Sequence, residues 1–260
     1  MAELITRREG AIGWIIFSNT GKFNAVTFDM WQAVPKAFDA FENDPGVRAI
    51  VLAGDGDSAF ISGADISQFE KQRGTADTQA VYNAAIDLAH SAPARCAKPV
   101  IAKIRGICMG GGMGIAAACD LRIAAEDAVF CMPLARMGMA YTYAGFERML
   151  NLMGPANTAD IFLSARKFGA AEALRLGYVN RVIPVASFDA EVSSYMKLIC
   201  ENAPLSLAAT KRTIRELCSD PDKRNLAAVD AMVKACFASA DYKEGSAAFM
   251  EKRRPQFKGR

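Results

Sequence analysis

The stretch that decides the fold runs from Pro99 to Gly114 and reads PVIAKIRGICMGGGMG. Pro99 to Ile104 form an apolar run of strand length, the texture of a strand covered on both faces. Glycines follow at 106, 110, 111, 112 and 114, and small apolar residues then continue as a helix through Cys119. Glycines between a strand and a helix let a ligand approach the backbone, and the helix start offers unpaired N–H groups to an anion. Four readings fit: a dinucleotide phosphate site, a phosphate loop, an oxyanion hole, or close packing of a helix on a sheet. Gly112-x-Gly114-x-x-Ala117 matches the dinucleotide fingerprint weakly, but two strands precede it. Asp120 also comes too soon for the acidic residue expected about 20 positions on. The chain has no Tyr-x-x-x-Lys pair and no GxxxxGK[ST] pattern. An oxyanion hole and tight packing remain.

Outward from this turn, short apolar runs alternate with amphipathic stretches, which argues an α/β fold. Ile12–Phe17 and Val47–Leu52 are further strand candidates. Between them Thr27 opens a helix with Trp31, Val34, Phe38 and Phe41 on one face, and Asn43-Asp44-Pro45-Gly46 stops it. Pro35 predicts a kink there. From about Ser187 the strand signal fades into four helical stretches, broken at Ala203-Pro204, Ser219-Asp220-Pro221 and near Asp241. The division is an α/β core over 1–186 and a helical part over 187–260. A second segment, AFISGADISQ over 59–68, pairs Asp65 with Gln68 in a near capping box, predicting a short helix. That would put the Ala64 N–H at another helix start, so two N–H groups could converge on one oxygen.

Composition narrows the function. Lys+Arg 31 against Asp+Glu 28 leaves +3, too balanced for a nucleic-acid or membrane-surface binder. Seven cysteines without a CxxC pair read as reduced thiols of a cytoplasm, acting as small core hydrophobes. His90 is the one histidine, which excludes a zinc site of several His ligands. No metal site is expected. The start MAELITRREG lacks the features of a signal peptide, and Pro99–Cys119 is too charged and glycine-rich for a membrane span.

The order and spacing of several motifs resemble the crotonase superfamily of enoyl-CoA hydratases and isomerases, nearly end to end. They are Asn19-Thr-Gly-Lys22-Phe23-Asn24-Ala25, Phe60-x-x-Gly63-Ala64-Asp65-Ile66, Lys98-Pro-Val-Ile-Ala-x-x-x-Gly106 with Gly110–Gly112, and Cys119-Asp120. Later come Ala171-x-Glu-Ala-x-x-x-Gly177-x-Val-Asn180 and Phe249-Met-Glu-Lys252-Arg. The resemblance implies a spiral of ββα units with C-terminal helices that build homotrimers, often paired into homohexamers. It implies an acyl-CoA substrate, with coenzyme A as part of that substrate and no separate cofactor. It also implies that the N–H groups of Ala64 and Gly111 hold the thioester oxygen as it becomes enolate-like. Lys22, Phe23 and Ala25, with Ala64, Asp65, Ile66 and Ser67, resemble the surface for adenine and pantetheine. Phe249 and Lys252 match residues that reach CoA. The tail from Lys252 onward, basic and without acidic residues, reads as a frayed end or a phosphate attractor.

The chain departs from hydratases at both positions where they carry glutamate: Gly114 stands at one and Leu134, after Pro133, at the other. Neither can transfer a proton, worth typically 10²–10⁴-fold in rate. Restoring glutamate at both positions is expected to build hydration activity. Tyr141, in Gly138-Met-Ala-Tyr141, is similar to the Gly-x-Pro-Tyr of methylmalonyl-CoA decarboxylase-like members and is the candidate proton carrier. Those members have His where Ala64 stands. Tyr143 lies nearby, Glu147 reads as structural and Asp65 as a helix cap. His90 reads as surface or packing. The alternatives to a hydratase or isomerase are a malonyl-type decarboxylase and a CoA-thioester binder without turnover.

Overall fold

The computed structural model describes residues 2–68 and 75–260. A six-stranded sheet is ordered β1 (Glu3–Glu9), β2 (Ile12–Ser18), β3 (Ala49–Gly54), β5 (Val100–Ile104), β7 (Leu121–Ala125), β10 (Arg181–Ile183). β1 and β2 form an antiparallel hairpin and every later pairing in the sheet is parallel. A second sheet is ordered β4 (Ala59–Ile61), β6 (Ile107–Met109), β8 (Val129–Cys131), β9 (Lys167–Gly169), parallel up to β8. The pairs β3–β4, β5–β6 and β7–β8 each give one strand to each sheet and then pass to a helix, so the chain climbs as repeated ββα turns. Parallel strands buried on both faces explain the unbroken apolar runs of β3 and β5.

Helix α1 (Phe28–Asn43) starts at Thr27, whose hydroxyl accepts the Met30 N–H at 3.3 Å. Pro35 sits inside α1 without ending it. The lost bond is outweighed by the buried face of Trp31, Val34, Phe38 and Phe41. α2 (Ala76–Arg95) packs against α1, and α3 (Gly111–Ala117) stops two residues short of the expected Cys119. There follow α4 (Tyr143–Ser164), broken by left-handed Gly154, and α5 (Ala170–Arg175). The helices α6 (Phe188–Cys200), α7 (Pro204–Leu217), α8 (Leu226–Ala238) and α9 (Ala240–Met250) come last. Phe188, Val192 and Met196 of α6 bury against Val51, Ile101 and Ile123, covering the sheet face away from α1. No helix among the described residues is long and apolar enough to cross a membrane.

The basic tail is neither frayed nor free. The Lys258 and Gly259 N–H groups each donate to the buried Asp241 carboxylate at 2.7 Å, and Arg253 pairs with Glu244. Motifs late in the chain are structural too. The Asn180 side chain accepts the Arg122 N–H at 2.9 Å, locking β10 to β7, and Asp120 accepts from Val100 N–H and Lys211.

Candidate active site

The two backbone donors are built by neighbouring turns. Val26 N–H donates to the Gly63 carbonyl at 2.8 Å and Asp65 N–H to the Val26 carbonyl at 2.9 Å, a pairing that skips the Ala64 N–H. Gly110, left-handed at φ 51°, turns β6 into α3, whose first internal bond is from Gly114 N–H to Gly110. The Gly111 N–H therefore has no partner within its helix. A side chain begun at Gly111 would lie 4.0 Å from the Ala64 nitrogen, so the two donors are adjacent. Both residues line a cavity of about 470 Å³, with Trp31, Leu134 and Tyr141 among its walls.

Beside Ala64, the expected short helix is a single 3₁₀ turn, Ile66–Gln68. Gln68 does not close a capping box on Asp65; its side-chain oxygen accepts the Phe28 N–H instead, at 3.0 Å. Asp65 does cap the turn, accepting from Ser67 N–H at 3.1 Å and Ser67 hydroxyl at 2.7 Å. Lys22 Nζ reaches both Asp65 oxygens, at 3.1 and 2.9 Å, and the Ser67 hydroxyl at 2.8 Å. Burial works to raise the Asp65 carboxyl, but the bonds from Ser67 and Lys22 outweigh it and hold it below its usual value. Phe23 and Asn24 are both left-handed. Asn24, buried and bonded to the Asp55 and Ala59 carbonyls, anchors the loop and leaves Phe23 half exposed. Ala25 is buried, and Ile66 is exposed at the cavity edge. Phe249 and Lys252 do not line this cavity; Phe249 projects from α9, 82% exposed.

Gly114 lies against the imidazole edge of His90 and the hydroxyl of Tyr141. A Cβ at 114 would stand 2.6 Å from His90 Cε1 and 2.6 Å from the Tyr141 oxygen. Restoring glutamate at 114 therefore meets occupied space, contrary to the expectation from sequence. Leu134 follows Pro133 in the 3₁₀ turn Pro133–Met137 and presents an apolar wall. The Tyr141 ring packs on Phe146 and Phe162, and Gly145 leaves it room where any side chain would collide. Burial raises the phenol to about 12, partly opposed by Arg148, so it stays protonated at neutral pH. Tyr143 is 83% exposed, and neither it nor Glu147 lines the cavity. Cys108, Cys119 and Cys131 are buried thiols that burial pushes up, consistent with packing rather than chemistry.

α2 brings Gln79, Asn83, Ile86, Asp87 and His90 to the cavity, two of them titratable. His90 is buried, not a surface group, and lies on the cavity with its ring edge-on to Trp31 at 5.2 Å. Burial, helped by Arg148, pulls the imidazole down to about 3, against a backbone bond with Gly111. Asp87, one turn earlier, is the one carboxylate among the described lining residues. The signal was present in the sequence as a polar stripe, Gln79, Asn83, Asp87 and His90, at helical spacing.

Comparison with known proteins agrees with this architecture. The family model described as enoyl-CoA hydratase/isomerase matches residues 7–260. A crotonyl-CoA hydratase of Syntrophomonas wolfei is 31% identical, the match covering 98% of this chain and 97% of that one. A Delta(3,5)-Delta(2,4)-dienoyl-CoA isomerase of Arabidopsis thaliana is 29% identical over 98% of this chain and 96% of its own. Among solved structures, an enoyl-CoA hydratase/carnithine racemase from Magnetospirillum magneticum superposes with a TM-score of 0.93. It is 33% identical, with 100% of this chain and 97% of that chain covered.

Proposed function

The chain belongs to the enoyl-CoA hydratase/isomerase family, and on that premise we propose that it is an acyl-CoA enzyme working through a thioester enolate. The thioester oxygen sits between the N–H groups of Ala64 and Gly111, which strengthen their hold as negative charge develops on it. Coenzyme A enters as part of the substrate, with no separate cofactor. Lys22, Phe23 and Ala25, with Asp65, Ile66 and Ser67, receive its nucleotide and pantetheine. Phe249 and Lys252, which do not line their own cavity, reach CoA bound to another copy in a homotrimer or homohexamer.

The observation that carries the reading is the pair of adjacent donors left out of backbone pairing at a cavity wall. Around them Gly114 and Leu134 offer no proton carrier; Asp87, the one carboxylate among the described lining residues, takes the carbon-2 proton as the enolate forms, and the Tyr141 phenol, held protonated, is the donor to carbon 2 of the enolate. That arrangement favours a second reading, decarboxylation of a malonyl-type thioester. There the C–C bond breaks to release CO₂, its electron pair forms the enolate, and Tyr141 protonates carbon 2. Three assays test both readings: hydration of crotonyl-CoA, CO₂ release from methylmalonyl-CoA, and deuterium uptake at carbon 2 of butyryl-CoA. Deuterium uptake with hydration below about 10 s⁻¹, a typical enzyme turnover, is the expected result. CO₂ release as the fastest reaction selects the second reading. Failure to bind any of the three thioesters overturns both.

A further inference from the structure

Helix α2 has three faces. Tyr82, Ala85 and Ala89 are buried in the core, Val81 and Leu88 stand exposed, and Gln79, Asn83 and Asp87 line the cavity. At about 3.6 residues per turn, the cavity stripe lies on roughly the opposite side of the helix from Val81 and Leu88. A cavity for a wholly saturated acyl chain gains most from apolar lining on every side. Here the helix has large apolar residues to offer, and gives the cavity two amides and a carboxylate instead. The apolar lining comes from Met132, Leu134, Met137 and Met139, between β8 and α4. Methionine side chains adapt to chains of varied shape. The cavity is therefore two-faced, polar along α2 and apolar along that loop.

Position along the substrate follows from Asp87, which takes the carbon-2 proton in the reading above and so marks the reacting end of the stripe. Asn83 lies four residues away, about 6 Å along the helix axis, and Gln79 about 6 Å farther. An acyl chain running along α2 meets these amides several carbons beyond carbon 2. Each amide both donates and accepts, which suits a carbonyl or another amide. Both side chains are exposed and open to a ligand. A carboxylate is disfavoured there, because Asn83 and the negatively charged Asp87 are neighbours one turn apart on the helix surface.

We propose that Asn83 and Gln79 are specificity-determining residues that hydrogen-bond an uncharged carbonyl or amide in the distal half of the acyl chain. The preferred substrates are then thioesters of medium-length acyl chains that carry such a group, with their apolar side on the methionines. This deepens the thioester reading above and rests on it.

The intact protein is titrated by calorimetry with octanoyl-CoA, 7-oxooctanoyl-CoA and suberyl-CoA, equal in chain length and different only near the far end. The expected result is tightest binding of the oxo compound, by roughly threefold to tenfold over octanoyl-CoA, the weight of one hydrogen bond. The double change Asn83→Leu plus Gln79→Leu should remove that preference by weakening the oxo compound, with octanoyl-CoA bound as well as before or better. Wild type binding octanoyl-CoA as tightly as the oxo compound overturns the proposal, and so does suberyl-CoA binding tightest. An equal loss for both compounds in the double variant also overturns it, because the amides would then read the pantetheine that all three share. Each of these results leaves the thioester reading standing. If none of the three binds, butyryl-CoA separates the two ideas: bound, the proposal alone falls, and unbound, the thioester reading falls with it. The wild-type comparison decides the matter even if the double variant does not fold.

Discussion

The Tyr141 hydroxyl stands 2.6 Å from the point where a side chain at Gly114 would begin. The space to which the resemblance to hydratases assigns a glutamate is therefore filled from two other elements, by Tyr141 ahead of α4 and His90 on α2. Gly114 is glycine because those groups need its missing Cβ. Gly114→Ala should cost roughly 1–3 kcal/mol, the usual range for overpacking, read as a lower midpoint in urea. In a Tyr141→Phe background, which removes one of the two colliding atoms, the same change should cost less. Equal losses in both backgrounds would break the link between the two residues.

Tyr141→Phe tests the proton donor. The ring keeps its contacts with Phe146 and Phe162, so stability should hold. Turnover should drop about 10²–10⁴-fold, the range for losing a general acid, with thioester affinity nearly unchanged. Because the phenol is raised to about 12, the pH profile should show no loss of a phenolic proton below pH 10. Unchanged turnover would move the role to Asp87, the one carboxylate among the described lining residues.

His90 predicts an acid-side instability of definite sign. Its folded-state value near 3 lies below the unfolded value of about 6.5, so the unfolded chain binds the extra proton between them. Stability should be full above about pH 6.5 and fall as pH drops toward 3, by at most about 1.4 kcal/mol per unit. Carboxylates titrate lower, so urea midpoints at pH 7, 6 and 5 isolate the effect. The ring proton resonance should not titrate between pH 5 and 8, and a midpoint near 6.5 would contradict the burial.

Asp65 has the opposite sign. Its carboxyl is held below the ordinary value near 3.9, so its bonds with Ser67 and Lys22 stabilise the fold above that pH. The contribution is lost as pH falls through the lower folded-state value. Asp65→Asn should therefore lower the melting temperature at pH 7 and converge with wild type in strong acid. A gap that persists below pH 2 would show that packing, not charge, sets the effect.

How much of this was legible depended on how far each signal extends along the chain. β2, β3 and β5 were readable because strands covered on both faces are unbroken apolar runs, though β3 begins at Ala49 after Val47 closes a turn on Asp44. Thr27 and the breaks between the C-terminal helices were readable because caps and prolines act locally. The second sheet was not: β4, β6 and β8 have three residues each, too short for any periodicity. Ala64 and Gly111 were read as candidates from helix starts and resemblance, whereas for His90 and Asp87 the sequence shows only a polar stripe on α2, and the packing of that helix, a tertiary contact, is what turns the stripe toward the cavity.

Gly111 carries the sharpest test of the oxyanion reading. Proline there removes the N–H at the first helical position, where proline's backbone angle suits a helix and no internal hydrogen bond is lost. A Cβ at that position approaches the Trp31 ring to 3.1 Å, so some loss could come from crowding alone. Gly111→Ala keeps the N–H and adds the same atom, and so serves as the control. If the N–H holds the enolate oxygen, Gly111→Pro should lose a further 10²–10³-fold in turnover relative to Gly111→Ala. Both should retain the affinity of free coenzyme A if, as proposed, its nucleotide end is held at the Lys22–Asp65 edge. Equal turnover in the two folded variants would mean that the Gly111 N–H stabilises nothing in the reaction, and the enolate would then have to be held by Ala64 alone.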